Sequence, residues 1–235
     1  MFTSDAVLAM KTHALAEYPR ESCGIVVDGV YFPLPNRAAD PERNFRIDDA
    51  DYIEHADRIE AIVHSHPDGP LHPSAADMRG QIASAVPWAI LAADGERCSE
   101  PLIWGDGVPV PELIGREFVH GVTDCYALVR DYYRTVLGIV LPEFPRDDEW
   151  WTKGQNLYLD HFGEAGFSVV PLDDARVGDV VLMTVLSPVP NHAGVIFEPG
   201  TLLHHLPRRL SRREPLGLWH RQIVHILRHK DRADG

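Results

Sequence analysis

Apolar residues recur at helical or strand spacing in a regular order along the chain. Val7, Leu8, Ala14 and Leu15 keep a helical rhythm behind Ser4 or Asp5, either of which can cap, so a helix is predicted to about Ala16, with Pro19 beyond its end. Gly24 to Val30 and Tyr31 to Leu34 read as a hairpin turned at Asp28-Gly29, a strong turn dipeptide. After the polar loop Asn36 to Asn44 come a short helix from Asp48 to about Asp57, a strand from Ile59 to His64, a helix from Ser74 to Val86 and a strand from Trp88 to Ala93. Residues 99–115 then carry Pro101, Pro109, Pro111, Gly105, Gly107 and Gly115, too much punctuation for long elements, which places a domain boundary near residue 110. The second half restarts with a helix capped by Thr123 or Asp124 that carries Leu128, Val129, Tyr132 and Val136 on one face. Beyond a turn at Gly178-Asp179, Val180 to Val185 and the segment from His192 read as strands. Thr201 to His205 follows the turn at Pro199-Gly200 and lies on the neighbouring strand.

Composition narrows this picture. A chain of 235 residues that is 45% hydrophobic buries one large core or two modest ones, and the connector favours two. No amino-terminal segment joins a basic start to an apolar core of signal-peptide length, and no apolar run of about eighteen residues could span a bilayer, so synthesis in the cytoplasm without a membrane anchor is expected. Cys23, Cys98 and Cys125 are too few and too scattered for a disulfide framework and are expected to be free thiols. A net charge of −13 argues against a general nucleic-acid binder. The charge is uneven, with eight Arg or Lys against three Asp or Glu from His204 onward, a balance of +5 that leaves −18 on the preceding residues. Arg208, Arg209, Arg212 and Arg213 form either a solvated face or a dock for an anionic partner.

The first chemical signal lies where an apolar run ends in His64-Ser65-His66. Alternate strand residues share a face, so both imidazoles can point to one place. Asp77 follows in the first turn of the next helix, and His64, His66 and Asp77 together offer three ligands of types zinc accepts, with a fourth position left for water. Glu21, ahead of the apolar run Ile25 to Val27, is the candidate base, and Ser74 with Asp77 is also a fair capping pair. The pattern of an upstream glutamate, His-x-His, seven residues beginning with Pro, Ser, two residues and Asp resembles the JAMM metalloprotease family. That resemblance implies a Zn2+ site on His64, His66 and Asp77, with Glu21 and Ser74 as catalytic residues.

The second signal is Asp124-Cys125 at the start of a helix, where the dipole is expected to lower the thiol pKa and favour thiolate. A nucleophilic cysteine needs an acid–base partner. His192 opens a strand and His204 lies on its antiparallel neighbour, so His204 can orient His192 while His192 pairs with Cys125; His205, of opposite parity, should point away. Asp-Cys opening a helix, His-x-Gly opening a strand and a polar residue twelve positions on resemble the NlpC superfamily of papain-like cell-wall endopeptidases. Tyr126 and Ala127 replace the Ser-Gly usual after the nucleophile, which bears on substrate fit at that point.

Together the resemblances imply an α+β protein of two domains, a JAMM-type α/β zinc metalloprotease domain over 1–110 and a papain-like NlpC-type domain over 111–235. Their order resembles a tail-tip protein family of lambda-like phages, with Asp131-Tyr132-Tyr133-Arg134 and Leu210-Ser211-Arg212-Arg213 fitting that likeness. The family implies a phage tail-tip peptidase delivered with the virion. Its thiol site, Cys125, His192 and His204, would cut peptidoglycan stem peptides, a D-Glu to diamino-acid bond being the expected target. Its zinc site would hydrolyse a second peptide or isopeptide bond, and its partners would be peptidoglycan and other tail-tip proteins. Two alternatives stay open: a structural tail assembly protein that keeps the sites for binding, and a JAMM domain that processes a phage protein.

Overall fold

In a computed structural model, which describes residues 2–232, the chain forms two compact units, 1–109 and 110–235. The first begins with helix α1 (Ser4–Glu17), capped by Thr3, whose hydroxyl accepts from the Ala6 amide. Strands β1 (Cys23–Val27) and β2 (Val30–Leu34) make the expected hairpin, with Asp28 and Gly29 both at positive φ, as a tight turn between right-twisted strands demands. Helix α2 (Asp49–His55) takes its cap from Asp48. Strand β3 (Ile59–Pro67) outlasts its predicted end and carries both histidines within it.

Helix α3 (Ala75–Ser84) crosses over to β4 (Trp88–Ala93), which pairs parallel with β3, and β5 (Leu102–Trp104) closes the sheet order β2-β1-β3-β4-β5. β5 lies in the connector, where three residues suffice for a strand. Strand parity divides the chemistry. Ala61 and Val63 of β3 join Val26, Ala89 and Leu91 beneath Ala6 and Met10 of α1. Alternate residues Ile62, His64 and His66 take the other face, where the His64 ring stacks on Phe45 with centroids 4.6 Å apart and meets Trp88 edge-on.

The second unit is led by α4 (Cys125–Tyr132), followed directly by a π-helical turn, Tyr133–Leu137, ending at Gly138. That turn changes the helical phase, so Val136, expected on the buried face, stands in solvent, while Tyr133 is enclosed and donates its hydroxyl to Gly178 O at 2.7 Å. Short α5 (Leu157–His161) and β6 (Phe167–Val170) precede β7 (Val180–Met183), β8 (His192–Glu198), β9 (Thr201–His204), β10 (Arg212–Pro215) and β11 (Ile223–His229). They form an antiparallel sheet in the order β10-β9-β8-β7-β11-β6. One face packs Leu182, Ala193, Val195 and Leu203 against Leu128, Val129, Tyr132 and Tyr133; the other gathers Val181, Met183, Ile196 and Leu202 against Leu216 and Trp219. Asp179, read from sequence as a turn residue, is fully buried in a cluster with Arg228 and Arg232. Among the described residues no helix is long and apolar enough to cross a membrane.

Candidate functional sites

In the first unit, His64, His66 and Asp77 converge as their spacing requires. His64 Nε2 lies 3.1 Å from His66 Nε2, and the two stand 3.3 Å and 3.4 Å from Asp77 Oδ1 and Oδ2. They are the described residues whose ligand atoms lie close enough together to hold one ion. Two imidazole nitrogens facing each other and a carboxylate across so short a gap compete for hydrogens that one divalent cation would replace, and the N,N,O set suits zinc. His66 Nδ1 lies 2.9 Å from Pro70 O, which fixes its hydrogen there and leaves Nε2 bare for a ligand bond.

Ser74 supports this set from the head of α3. Its amide and hydroxyl both donate to Asp77 Oδ2 at 2.7 Å, and its hydroxyl accepts from the Asp77 amide, a closed capping box. The capping pair and the candidate site are therefore one structure. Burial alone would raise the pKa of Asp77, yet hydrogen bonds with His64, His66 and Ser74 hold it well below the usual carboxylate range. Glu21, just ahead of β1, shares a cleft with His66, Ser74 and Asp77. Burial pushes its carboxyl up to about 7, with the Asp77 charge adding and His66 opposing.

In the second unit Asp124, not Thr123, caps α4. Its carboxylate accepts from the Ala127 amide at 2.9 Å and the Gly121 amide at 2.8 Å, and Arg146 grips both oxygens, Nε to Oδ2 at 2.9 Å and Nη2 to Oδ1 at 3.0 Å. Against the cost of burial, Arg146 and His120 draw its pKa down to about 2. Cys125 follows on the wall of a cavity of about 610 Å³ that His192, Tyr126, Phe144, Trp150 and Tyr158 also line. The expected lowering of the thiol pKa is corrected here. Burial pushes the Cys125 thiol up, and the charge of Asp124, the residue that caps the helix, pushes it further. Against these stand the Tyr158 hydroxyl, 3.2 Å from Sγ, and a backbone hydrogen bond at Ala193, both of which favour thiolate.

His192 Nε2 lies 3.0 Å from His204 Nδ1. The pairing depends on Gly194, which sits opposite His204 in the β8–β9 ladder. A Cβ there would fall within 3 Å of Leu203 O and His204 Cβ, so the glycine of His-x-Gly lets the two strands and their histidines close up. His205 turns away as its parity predicts, with Nε2 3.1 Å from Arg209 O. Burial, with His204 and His205 nearby, lowers His192 to about 3, so its imidazole is neutral at ordinary pH. α4 packs on β8, which brings Cys125 and His192 to one cavity, but the side chain hydrogen-bonded to the sulfur is Tyr158 rather than His192.

The basic segment divides. Arg213 pairs with Glu198 and lies over the Phe197 ring, and Arg212 lies 3.5 Å from Glu214, whereas exposed Arg208 and Arg209 line the thiol cavity. Sequence reading missed Arg146, Tyr158, Glu214 and Trp219 around the thiol. Only the density of aromatic and charged residues over 143–158 and 208–219 marks them, and nothing in their spacing points to Cys125.

Comparison with known proteins agrees with the two units. The description "Prokaryotic homologs of the JAB domain" matches residues 3–102 and "NlpC/P60 family" matches residues 115–228. The chain is 45% identical over 176 residues to tail tip assembly protein K of Escherichia phage lambda, covering 73% of this chain and 82% of that protein. To tail tip assembly protein K of Escherichia phage N15 it is 38% identical over 245 aligned positions, covering 97% and 95%. The crystal structure of an NlpC/P60 family protein from Bacillus cereus is 11% identical, covers 97% of this chain and 67% of that one, and superposes with a TM-score of 0.36.

Proposed function

Because this chain belongs to the family of tail tip assembly protein K of lambda-like phages, an NlpC/P60 domain following a JAB-type domain, we propose that it is a tail-tip peptidase with two independent sites. The thiol site cuts peptide bonds of peptidoglycan stem peptides, and the amino-terminal site hydrolyses a second peptide or isopeptide bond. The observation that carries this reading is Cys125 at the mouth of a helix, sharing one cavity with a neutral His192 that is itself held by His204.

A neutral imidazole is a base ready to work. His192 takes the thiol proton as Cys125 Sγ attacks the peptide carbonyl carbon, and returns it to the departing amine as the thioester forms; water then releases the acid by the reverse roles. Tyr158, whose hydroxyl already faces the sulfur, stabilises the anion as the proton leaves. Arg208 and Arg209 on the cavity rim suit a substrate bearing carboxylates, as stem peptides do.

In the amino-terminal unit His64, His66 and Asp77 would hold Zn2+, which supplies a water activated at neutral pH. Glu21, whose raised pKa lets it hold or release a proton near neutrality, would serve as the acid–base group beside that site, while Ser74 keeps the Asp77 carboxylate turned toward the histidines. Tail-tip partners follow from the family, and peptidoglycan from the thiol site.

The test treats full-length protein with purified murein, alone, with iodoacetamide and with a chelator, and identifies the released peptides by mass spectrometry. Iodoacetamide should abolish stem-peptide cleavage and the chelator should leave it intact. Loss of the same single cleavage under both treatments would sink the two-site reading. No cleavage under any condition would favour a purely structural assembly role.

A further inference from the structure

The chain of contacts behind the thiol does not stop at His204. β10 pairs with β9 so that Arg212 faces His204 and Glu214 faces Leu202, which leaves Glu214 diagonal to the histidine. Glu214 Oε2 stands 3.3 Å from His204 Nε2, an ion-pair distance, though not aligned as a hydrogen bond in this conformation. The same oxygen accepts from Trp219 Nε1 at 3.0 Å, and Arg212 Nε lies 3.5 Å from Oε1. The Trp219 ring lies edge-on to His204 at 4.7 Å and tilted against His192 at 6.1 Å, covering the pair.

Resting on the reading of Cys125 and His192 as a catalytic pair, we propose that Glu214 is a positioning residue that fixes which nitrogen of His192 carries hydrogen. Only one hydrogen can lie between His192 Nε2 and His204 Nδ1, and neutral imidazole has one N–H. A carboxylate only accepts, so Glu214 draws the hydrogen of His204 to Nε2. His204 Nδ1 is then bare and accepts from His192 Nε2–H. That leaves His192 Nδ1 bare, the state a base needs to take the thiol proton. With the order reversed, hydrogen sits on His192 Nδ1 and the ring has no lone pair to offer there. The other charged or titratable neighbours, Arg212, His205 and Asp124, cannot set this order: Arg212 lies on Glu214 rather than on His204 Nε2, His205 is tied to the Arg209 carbonyl, and both oxygens of Asp124 are held by Arg146 and the amides of Ala127 and Gly121. Trp219 holds the carboxylate in place and keeps water from taking its role.

The relay is tested in full-length protein labelled with 15N-histidine, the signals of His192 and His204 being assigned from His192→Gln and His204→Gln variants. In the wild type both rings should show hydrogen on Nε2 and a bare Nδ1. Glu214→Ala should populate the Nδ1–H form of His192 and lower kcat on murein by ~10²-fold with KM little changed, as expected when a base is held in the wrong tautomer. Glu214→Gln keeps the shape and an acceptor oxygen, so it should move both readouts the same way but less. A wild-type His192 with hydrogen on Nδ1 would overturn the relay, as would tautomers unmoved in both variants. If the wild type cleaves no murein, the proposed function fails while the nitrogen signals still decide the relay.

Discussion

The His64, His66 and Asp77 cluster of the first site comes from residues 64–77, one strand and the start of the next helix, whereas the second site gathers Cys125 from α4, His192 from β8 and His204 from β9, with Arg146, Tyr158, Glu214 and Trp219 around them. Their electrostatics differ as much as their assembly. The first is centred on an anion, Asp77, held far below its ordinary pKa beside a glutamate raised to about 7. The second keeps its reactive pair uncharged, with the thiol raised and His192 lowered to about 3. A site that would hold a cation needs fixed negative charge; a thiol whose burial and Asp124 neighbour outweigh the pull of Arg146 stays neutral until substrate arrives.

The sharpest break of that comparison is a crossed pair of variants. Cys125→Ser should lower stem-peptide cleavage by at least ~10³-fold while zinc stays near one per chain by elemental analysis, and His66→Ala should empty the metal site and leave cleavage by the thiol unchanged. Any crossover joins what the structure separates into two units. Next in size, Glu21→Gln should retain zinc and lose ~10²–10⁴-fold in metal-dependent hydrolysis, because its role is to move a proton; a variant that arrives without zinc makes Glu21 a ligand instead.

The neutral pair gives a smaller but more diagnostic effect. Iodoacetamide should modify Cys125 at a rate that climbs with pH through 7 and beyond the ordinary thiol range, since a raised pKa leaves little thiolate at neutrality. A thiolate–imidazolium pair would instead react at a flat rate from about pH 5 upward. Buried Cys23, pushed up to about 12, should lag behind throughout.

The smallest effect is on stability in the metal-free protein. Glu21 binds its proton more tightly folded, at about 7, than at its ordinary 4.5. Stability therefore falls as pH rises across that interval, by about 3 kcal/mol at most, and is flat on either side. Glu21→Gln should match the wild type in denaturant melts below pH 4.5 and exceed it at pH 8; equal midpoints at pH 8 would show that the carboxylate is solvated.

The convergence of His64, His66 and Asp77 was legible because short-range rules set it: strand parity for His64 and His66, helix capping for Ser74 and Asp77. The positions of Cys125, His192 and His204 were legible for the same reason, one at a helix start and two on an antiparallel pair. What surrounds them was not. Val136 was misplaced because a π-helical turn alters a period that pattern reading takes as constant. The thiol pKa was misjudged because a helix start supplies a dipole while tertiary burial and the capping carboxylate of Asp124 supply the larger, opposite effect. Glu214 was hidden in an arginine-rich stretch that reads as surface charge until β10 pairs with β9.

The capping box at the head of α3 has one more consequence. Ser74 holds the Asp77 carboxylate by two hydrogen bonds that owe nothing to a metal, and Pro70 holds His66 in the tautomer a ligand needs. The protein's own hydrogen bonds thus fix these side chains, so a cation entering between them would demand little loss of side-chain freedom.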